Sequence, residues 1–209
     1  MAVEAGSGIK IGLRNIHLHM EGNIMNVISD KIAYLPAVDD PLSADVYFIK
    51  GKANCYIYDV GNNEDSLHHI NCIKQPKIII LSHYHKDHIG NIEHSDYQDL
   101  YVGKETHNIV GKGKIVTETV TIDDGVKIEI IPCPSPHTEG SLIINIDNQY
   151  TLIADLYFTR PPFNREKIRK MLDILQRIDT QYFVVSHQEN EKIIPKDRLI
   201  SELLNYFNQ

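Results

Sequence analysis

Residues 77–83 pass from an unbroken aliphatic run, Ile78-Ile79-Ile80-Leu81, into Ser82 and His83, and His85, Asp87 and His88 follow at once. The run has no polar face and is bounded on its other side by Pro76 and Lys77. A stretch so short and so apolar predicts a strand buried on both faces, with helices on either side of its sheet. The ligand-type side chains that end it are then forced to an edge of the core, where a solute can reach them.

Around this strand the chain carries both strand and helix signals. Residues 46–51 and 53–61 read as antiparallel strands joined by a tight Gly-Lys turn. Residues 63–73 read as a helix with Asn63 as its cap. Past the histidines, residues 99–105, 115–122 and 126–133 read as strands, the last two forming a hairpin around Asp123-Asp124-Gly125. Residues 141–146 and 150–158 flank Asp147-Asn148-Gln149, a second hairpin signal. Ile168, Met171, Leu172, Leu175 and Ile178 recur on one face of a helix over 164–178. Residues 183–187 read as a last buried strand, and 195–207 as an amphipathic helix with Pro195 near its start. The order suggests stacked sheets with helices outside, in one domain spanning 25–209. Met25 opens a convincing strand-like passage, whereas residues 1–24 are mixed in character and read as an appended leader. His17 and His19 are bystanders for that reason, and His68, His69, His94 and His107 read as surface or packing residues.

Charge and cysteine content exclude several classes. Lys plus Arg number 21 against 28 Asp plus Glu, a net charge of −7. An acidic chain without a dense basic run is poorly suited to neutralising phosphates, so nucleic-acid partners are not expected. Three cysteines, Cys55, Cys72 and Cys133, form no CxxC pair, which argues against a disulfide framework or a thiolate zinc site. Cys55 and Cys133 lie in strand-like segments and read as small buried hydrophobes. A reducing cytoplasmic setting and a small-molecule substrate fit best. No apolar run approaches the ~20 residues of a membrane helix.

Further ligand-type residues end other apolar runs: His137 after 126–133, Asp155 after 150–154, and His187 after 183–186. His83 and His85, two apart on an extended segment, point the same way and can grip one ion together. With Asp87 and His88 the set exceeds the three protein ligands that one catalytic zinc takes. Two ions sharing a bridging carboxylate would use all of it. Ions about 3.5–4 Å apart can hold a hydroxide between them and polarise a substrate oxygen.

The string His83-x-His85-x-Asp87-His88, followed in order by His137, Asp155 and His187, resembles the metallo-β-lactamase-fold hydrolases. The resemblance runs from about residue 25 to the end. It implies an α+β fold, a four-layer αββα sandwich with its metals at one edge. It assigns His83, His85 and His137 to one metal, and Asp87, His88 and His187 to the other, with Asp155 bridging. Asp87 and Asp155 are then the carboxylates that assist a hydroxide nucleophile. Asp59 matches the family's early strand-end aspartate, which supports the ligands and does not bind metal. The cofactors implied are two divalent ions, zinc first, with iron or manganese open because the donors are all His and Asp.

This chain also departs from the family pattern. His137 lies in Pro136-His137-Thr138-Glu139-Gly140 where Gly-His-Thr-Pro-Gly is usual. Asp155 follows Ala154 and His187 lies between Ser186 and Gln188, where glycines are usual. A bridging aspartate is absent from true β-lactamases of this fold, so antibiotic hydrolysis is not implied. Lactonases of the fold carry a tyrosine three positions after that aspartate, where this chain has Phe158, with Tyr157 one earlier. A small ester, thioester, lactone or phosphodiester is the expected substrate, with Tyr157, Phe158 and Arg160 as pocket residues. The alternatives are a di-iron oxidoreductase and a non-catalytic binding member. Relatives of the first kind usually carry glutamate within the first motif, and position 85 is histidine.

Overall fold

The computed structural model describes residues 25–159, 162–188 and 191–207. Residues 1–24, with the leader reading and His17 and His19, and Arg160 lie outside the described residues. In chain order the elements begin with β1 (Asn26–Val27), β2 (Ile32–Leu35), β3 (Val38–Asp39), β4 (Leu42–Ser43), β5 (Val46–Lys50) and β6 (Cys55–Tyr58). Then come α1 (Glu64–Cys72), β7 (Lys77–Ile80), α2 (Lys86–Ile89), β8 (Asp99–Val102), α3 (Lys104–Val110) and β9 (Lys114–Ile115). The rest is β10 (Val120–Asp123), β11 (Lys127–Pro132), β12 (Leu142–Ile146), β13 (Tyr150–Ala154), α4 (Arg165–Arg177), β14 (Tyr182–Val185), β15 (Ile193–Pro195) and α5 (Lys196–Phe207).

These strands make a seven-stranded sheet, β1-β2-β5-β6-β7-β8-β9, and a six-stranded sheet, β10-β11-β12-β13-β14-β15, with β3-β4 a separate hairpin. Because strand side chains alternate between faces, β7 serves two cores at once. Ile78 and Ile80 point into an apolar layer shared with Ile128, Ile130, Ile144 and Leu152 of the second sheet. Ile79 and Leu81 point the other way, into a cluster with Ile57, Leu100 and Ile70 of α1. The second sheet's outer face, with Ile143, Ile153, Phe183 and Val185, is covered by Met171 and Leu175 of α4 and Leu199 and Leu203 of α5. The layers are therefore α, β, β, α. Each such buried aliphatic side chain contributes about 1.5–3 kcal/mol relative to exposure. The expectation of helices on both sides of the β7 sheet is corrected here: one side is helical and the other is the second sheet. A four-residue aliphatic run reports burial on both faces but not what does the burying.

Local chemistry sets the ends of these elements. Asn63 caps α1 by accepting from Ser66 N at 2.8 Å, as expected for a short side-chain acceptor at a helix start. Asp147 and Asn148 both adopt left-handed backbone, φ 52° and 54°, in the β12–β13 loop, the central positions of a primed β-turn closed by Gln149 N donating to Ile146 O at 2.9 Å.

Three other readings need correction. Residues 115–122 are not one strand: Ile115 ends β9 in the first sheet, and Val120 opens β10 in the second. Residues 99–105 hold only the strand β8, and Lys104 begins α3. β14 is not the last strand, because β15 pairs antiparallel with it just before α5, with Pro195 in the strand.

Topology brings particular chain positions to one edge. β6 and β7 run parallel, Tyr58 beside Ile80, so Asp59 and Ser82–His83 leave the sheet on the same side. β13 and β14 are likewise parallel, with a register shift between Leu152 and Ala154. Such a bulge re-aims the side chains that follow it, here Asp155. The backbone bond from Leu142 N to Ser82 O, 2.7 Å, ties the two sheets together at this edge.

Candidate metal centre

Every donor named from the sequence reaches this edge. His83 leaves β7, and His85 caps the short helix α2 that carries Asp87 and His88. His137 sits in the β11–β12 loop, Asp155 follows β13 and His187 follows β14. Among the described residues two groups could hold an ion: His83, His85 and His137, and Asp87, His88, Asp155 and His187, with the offered atoms of each group all within 4.8 Å of one another.

In the three-histidine group, His83 Nε2 lies 3.0 Å from His85 Nδ1. His137 Nε2 lies 3.1 Å from the first and 2.9 Å from the second. His137 donates its Nδ1 proton to the Phe158 carbonyl at 2.6 Å, which leaves Nε2 as a lone pair facing the other two rings. Burial holds the His83 imidazole well below its usual pKa, and the neighbouring imidazoles of His88, His137, His85 and His187 push the same way. Burial and His137 lower His85 as well. Three imidazole nitrogens converging this closely repel one another unless a proton or a metal cation lies between them. Zinc-to-nitrogen bonds of ~2.0–2.1 Å in tetrahedral geometry place donors about 3.3–3.4 Å apart, a few tenths of an ångström wider than seen here. The trio fits such an ion with small ring movements.

The second group is richer in carboxylate. His88 Nε2 lies 3.4 Å from Asp87 Oδ2 and 3.3 Å from Asp155 Oδ2. His187 Nε2 lies 3.2 Å from Asp87 Oδ2 and 3.6 Å from Asp155 Oδ2. His88 Nε2 and Asp155 Oδ1 are buried and make no hydrogen bond, a costly arrangement unless another group engages them. Burial pushes the His88 imidazole down, but the carboxylates of Asp59 and Asp155 outweigh it and lift the ring to about 10. The hydrogen bond to Asp87 raises His187. This point of the protein favours positive charge. Asp155 also reaches toward the first group, its Oδ2 4.0 Å from His137 Nε2.

Residues 39–96, which contain Asp59 and the first histidine motif, are similar to the family described as the metallo-beta-lactamase superfamily. No curated protein sequence matches the chain. An archaeal metallo-beta-lactamase superfamily protein from Sulfolobus tokodaii is similar in structure, with TM-score 0.66 and 16% identity over 86% of each chain. A metallo-beta-lactamase from Pontibacter korlensis gives TM-score 0.68 at 17% identity, over 89% of this chain and 99% of its own. The chain has the metallo-β-lactamase fold. The flavodiiron protein from Giardia intestinalis shares it at TM-score 0.69 and 13% identity, and the match covers 90% of this chain but 60% of that one.

Within this metallo-β-lactamase fold, Asp59 supports donors of both groups. It is 1% exposed and accepts from Ser82 N, Ser82 Oγ and His88 Nδ1, each at 2.7 Å. Ser82 Oγ in turn accepts the Nδ1 proton of His83 at 2.9 Å. One carboxylate thus holds the Nδ1 side of His88 directly and that of His83 through Ser82, so that both rings turn Nε2 toward the site. Ser82 went unnoticed in the sequence; the signal that could have found it is its place between the apolar run and His83.

The loop that carries His137 is held by a glycine contact. A Cβ on Gly103 would lie 1.8 Å from the Gly140 carbonyl oxygen. Gly103→Ala is therefore expected to displace residues 137–141 and to destabilise the protein by about 1–3 kcal/mol, the usual cost of overpacking. Thermal unfolding checks the loss, and an unchanged Tm would refute the contact's importance.

Tyr157 and Phe158 line a cavity of about 550 Å³ together with Thr159, Glu202, Leu203 and Tyr206. None of the seven donors lines it. Phe158 is the partition: its carbonyl holds His137 and its ring centroid lies 6.5 Å from that of His187.

Among the described residues, His68, His69, His94 and His107 belong to neither donor group. His69 is buried and bonds to Asp65 O at 2.9 Å, and His107 bonds to Gly113 O at 3.2 Å. Cys55 and Cys133 are buried, and burial pushes both thiols up to about 12. No described helix is long and apolar enough to cross a membrane.

Proposed function

We propose that this metallo-β-lactamase-fold chain is a metal-dependent hydrolase acting on a small ester, thioester, lactone or phosphodiester. The observation that most supports it is the pair of donor groups, one of three histidines and one rich in carboxylate, with Asp155 between them. His83, His85 and His137 would hold one cation, and Asp87, His88 and His187 the other, with Asp155 shared. Zinc suits these donors first, and iron or manganese also fit. When bound, such cations supply Lewis acidity and lower the pKa of water from 15.7 toward ~7.

The chain's own residues do the rest. Asp59 and Ser82 hold His83 and His88 with Nε2 turned toward the site. Asp87 and Asp155 are the carboxylates placed to take up or release a proton beside the reacting atoms. Phe158 and Tyr157 shield one side and offer the neighbouring cavity to the non-reacting part of a substrate, which binding energy can use for orientation.

Elemental analysis combined with a panel of esters, thioesters, lactones and phosphodiesters tests the proposal. The expected result is a pair of metal ions per chain and turnover of one substrate class. Chelation should abolish that turnover and added Zn²⁺, Mn²⁺ or Fe²⁺ should restore it. Full turnover by metal-free protein would overturn it. Bound iron with oxygen uptake and no hydrolysis would instead favour the oxidoreductase reading that the flavodiiron likeness keeps open.

A further inference from the structure

We infer that Asp45, backed by Lys192, is a positioning residue for the carboxylate-rich half of the site, fixing the backbone of His187 from the opposite sheet. The inference rests on the dinuclear reading above. Asp45 precedes β5 of the first sheet and is 1% exposed. Its carboxylate accepts from His187 N and Ser186 Oγ, both at 2.9 Å, on the loop after β14 of the second sheet. It also accepts from Ala37 N at 3.0 Å. Lys192 Nζ, on a side chain only 9% exposed, donates to both oxygens at 2.8 Å and lies 5.3 Å from the Tyr34 ring.

A buried ion pair across two sheets is seldom an efficient way to gain stability, since desolvation offsets much of the attraction. Its geometry indicates another use. His187 adopts left-handed backbone, φ 53°, which a side chain with a Cβ disfavours. Its amide is held by Asp45, so the strained turn that aims the imidazole is fixed from outside its own loop. The residue before Asp45 adds a second fixture. Ala44 N donates to Asp87 O at 3.0 Å. The dipeptide Ala44-Asp45 therefore fastens both Asp87 and His187, whose side chains meet at 3.2 Å. Among the described residues, no hydrogen bond or ion pair of Asp45 involves His83, His85 or His137, so its hold falls on one half of the centre.

Titration of the intact chain with Zn²⁺ against a competing chelator reads the affinity of each half. Wild type should bind a tight pair of ions. Asp45→Asn keeps the side chain's volume but puts an amide where one of its acceptors stood. It should weaken the second ion about 10–100-fold, the usual effect of losing an outer partner of a ligand, and leave the first within about threefold. The double variant Asp45→Asn/Lys192→Met removes the stranded ammonium, guards against misfolding, and should show the same selective loss. Lys192→Met alone keeps the bond from His187 N to Asp45 and should retain both ions, even with a lowered Tm. Equal weakening of both ions in the Asp45 variants, or undiminished second-ion affinity, would overturn the inference and leave the dinuclear reading intact. Wild type that binds no ion would overturn that reading first.

Discussion

His85→Ala is expected to lose at least about 10³-fold in hydrolysis, since a cation's charge stabilisation is worth several kcal/mol in the transition state. His85 is partly exposed and caps the helix α2 without a side-chain hydrogen bond to the helix. Its removal therefore subtracts one nitrogen from the trio and little from the fold. In chelator the variant should melt within a few degrees of wild type, whereas with added Zn²⁺ wild type alone should gain stability, as any ligand that binds only the native state confers. Hydrolysis unchanged by the substitution would show that the trio does not serve the reaction. A variant that melts far below wild type in chelator would show instead that His85 holds the fold.

Much of the site could be read from the sequence because each donor ends an apolar run, and parallel strands deliver such ends to one edge. Asp59 with Ser82, and Asp155 with His187, are delivered by the parallel pairs β6–β7 and β13–β14. What could not be read is non-local. Asp45 sits in Ser43-Ala44-Asp45-Val46, with no pattern to mark it, and its importance lies in partners 141 to 147 positions away. The split of residues 115–122 between two sheets has the same origin, since β propensity does not say which sheet a strand joins.

The departures from family glycines have a backbone meaning that only the structure supplies. Ala154, where a glycine is usual, keeps left-handed backbone at φ 45°, and His187, which lacks flanking glycines, sits at φ 53°. The turn geometry is retained with side chains that disfavour it. Surrounding contacts must then hold the turns: the β13–β14 pairing at Ala154 and the Asp45 carboxylate at His187.

Asp59→Ala should produce the largest loss of stability, about 3–5 kcal/mol, the usual cost of removing one partner of a buried charged pair. For a chain of this size that corresponds to a Tm lower by roughly 6–20 °C. The substitution strands three donors at once: Ser82 N, Ser82 Oγ and His88 Nδ1, all of which point at the carboxylate. It also places alanine at φ 62°, a left-handed position that aspartate tolerates better. Burial raises the Asp59 carboxyl above its ordinary pKa while His88 opposes the shift, so the cost comes from lost donors as well as lost charge. Asp59→Asn separates the two. It keeps one acceptor but turns an amide N–H toward a donor, and should cost about 1–3 kcal/mol. Because Asp59 serves His88 directly and His83 through Ser82, both variants should lose affinity for both ions, unlike Asp45→Asn, which should lose only one. An Asp59→Ala protein that melts with wild type and binds metal as wild type does would sever the link between this carboxylate and the centre.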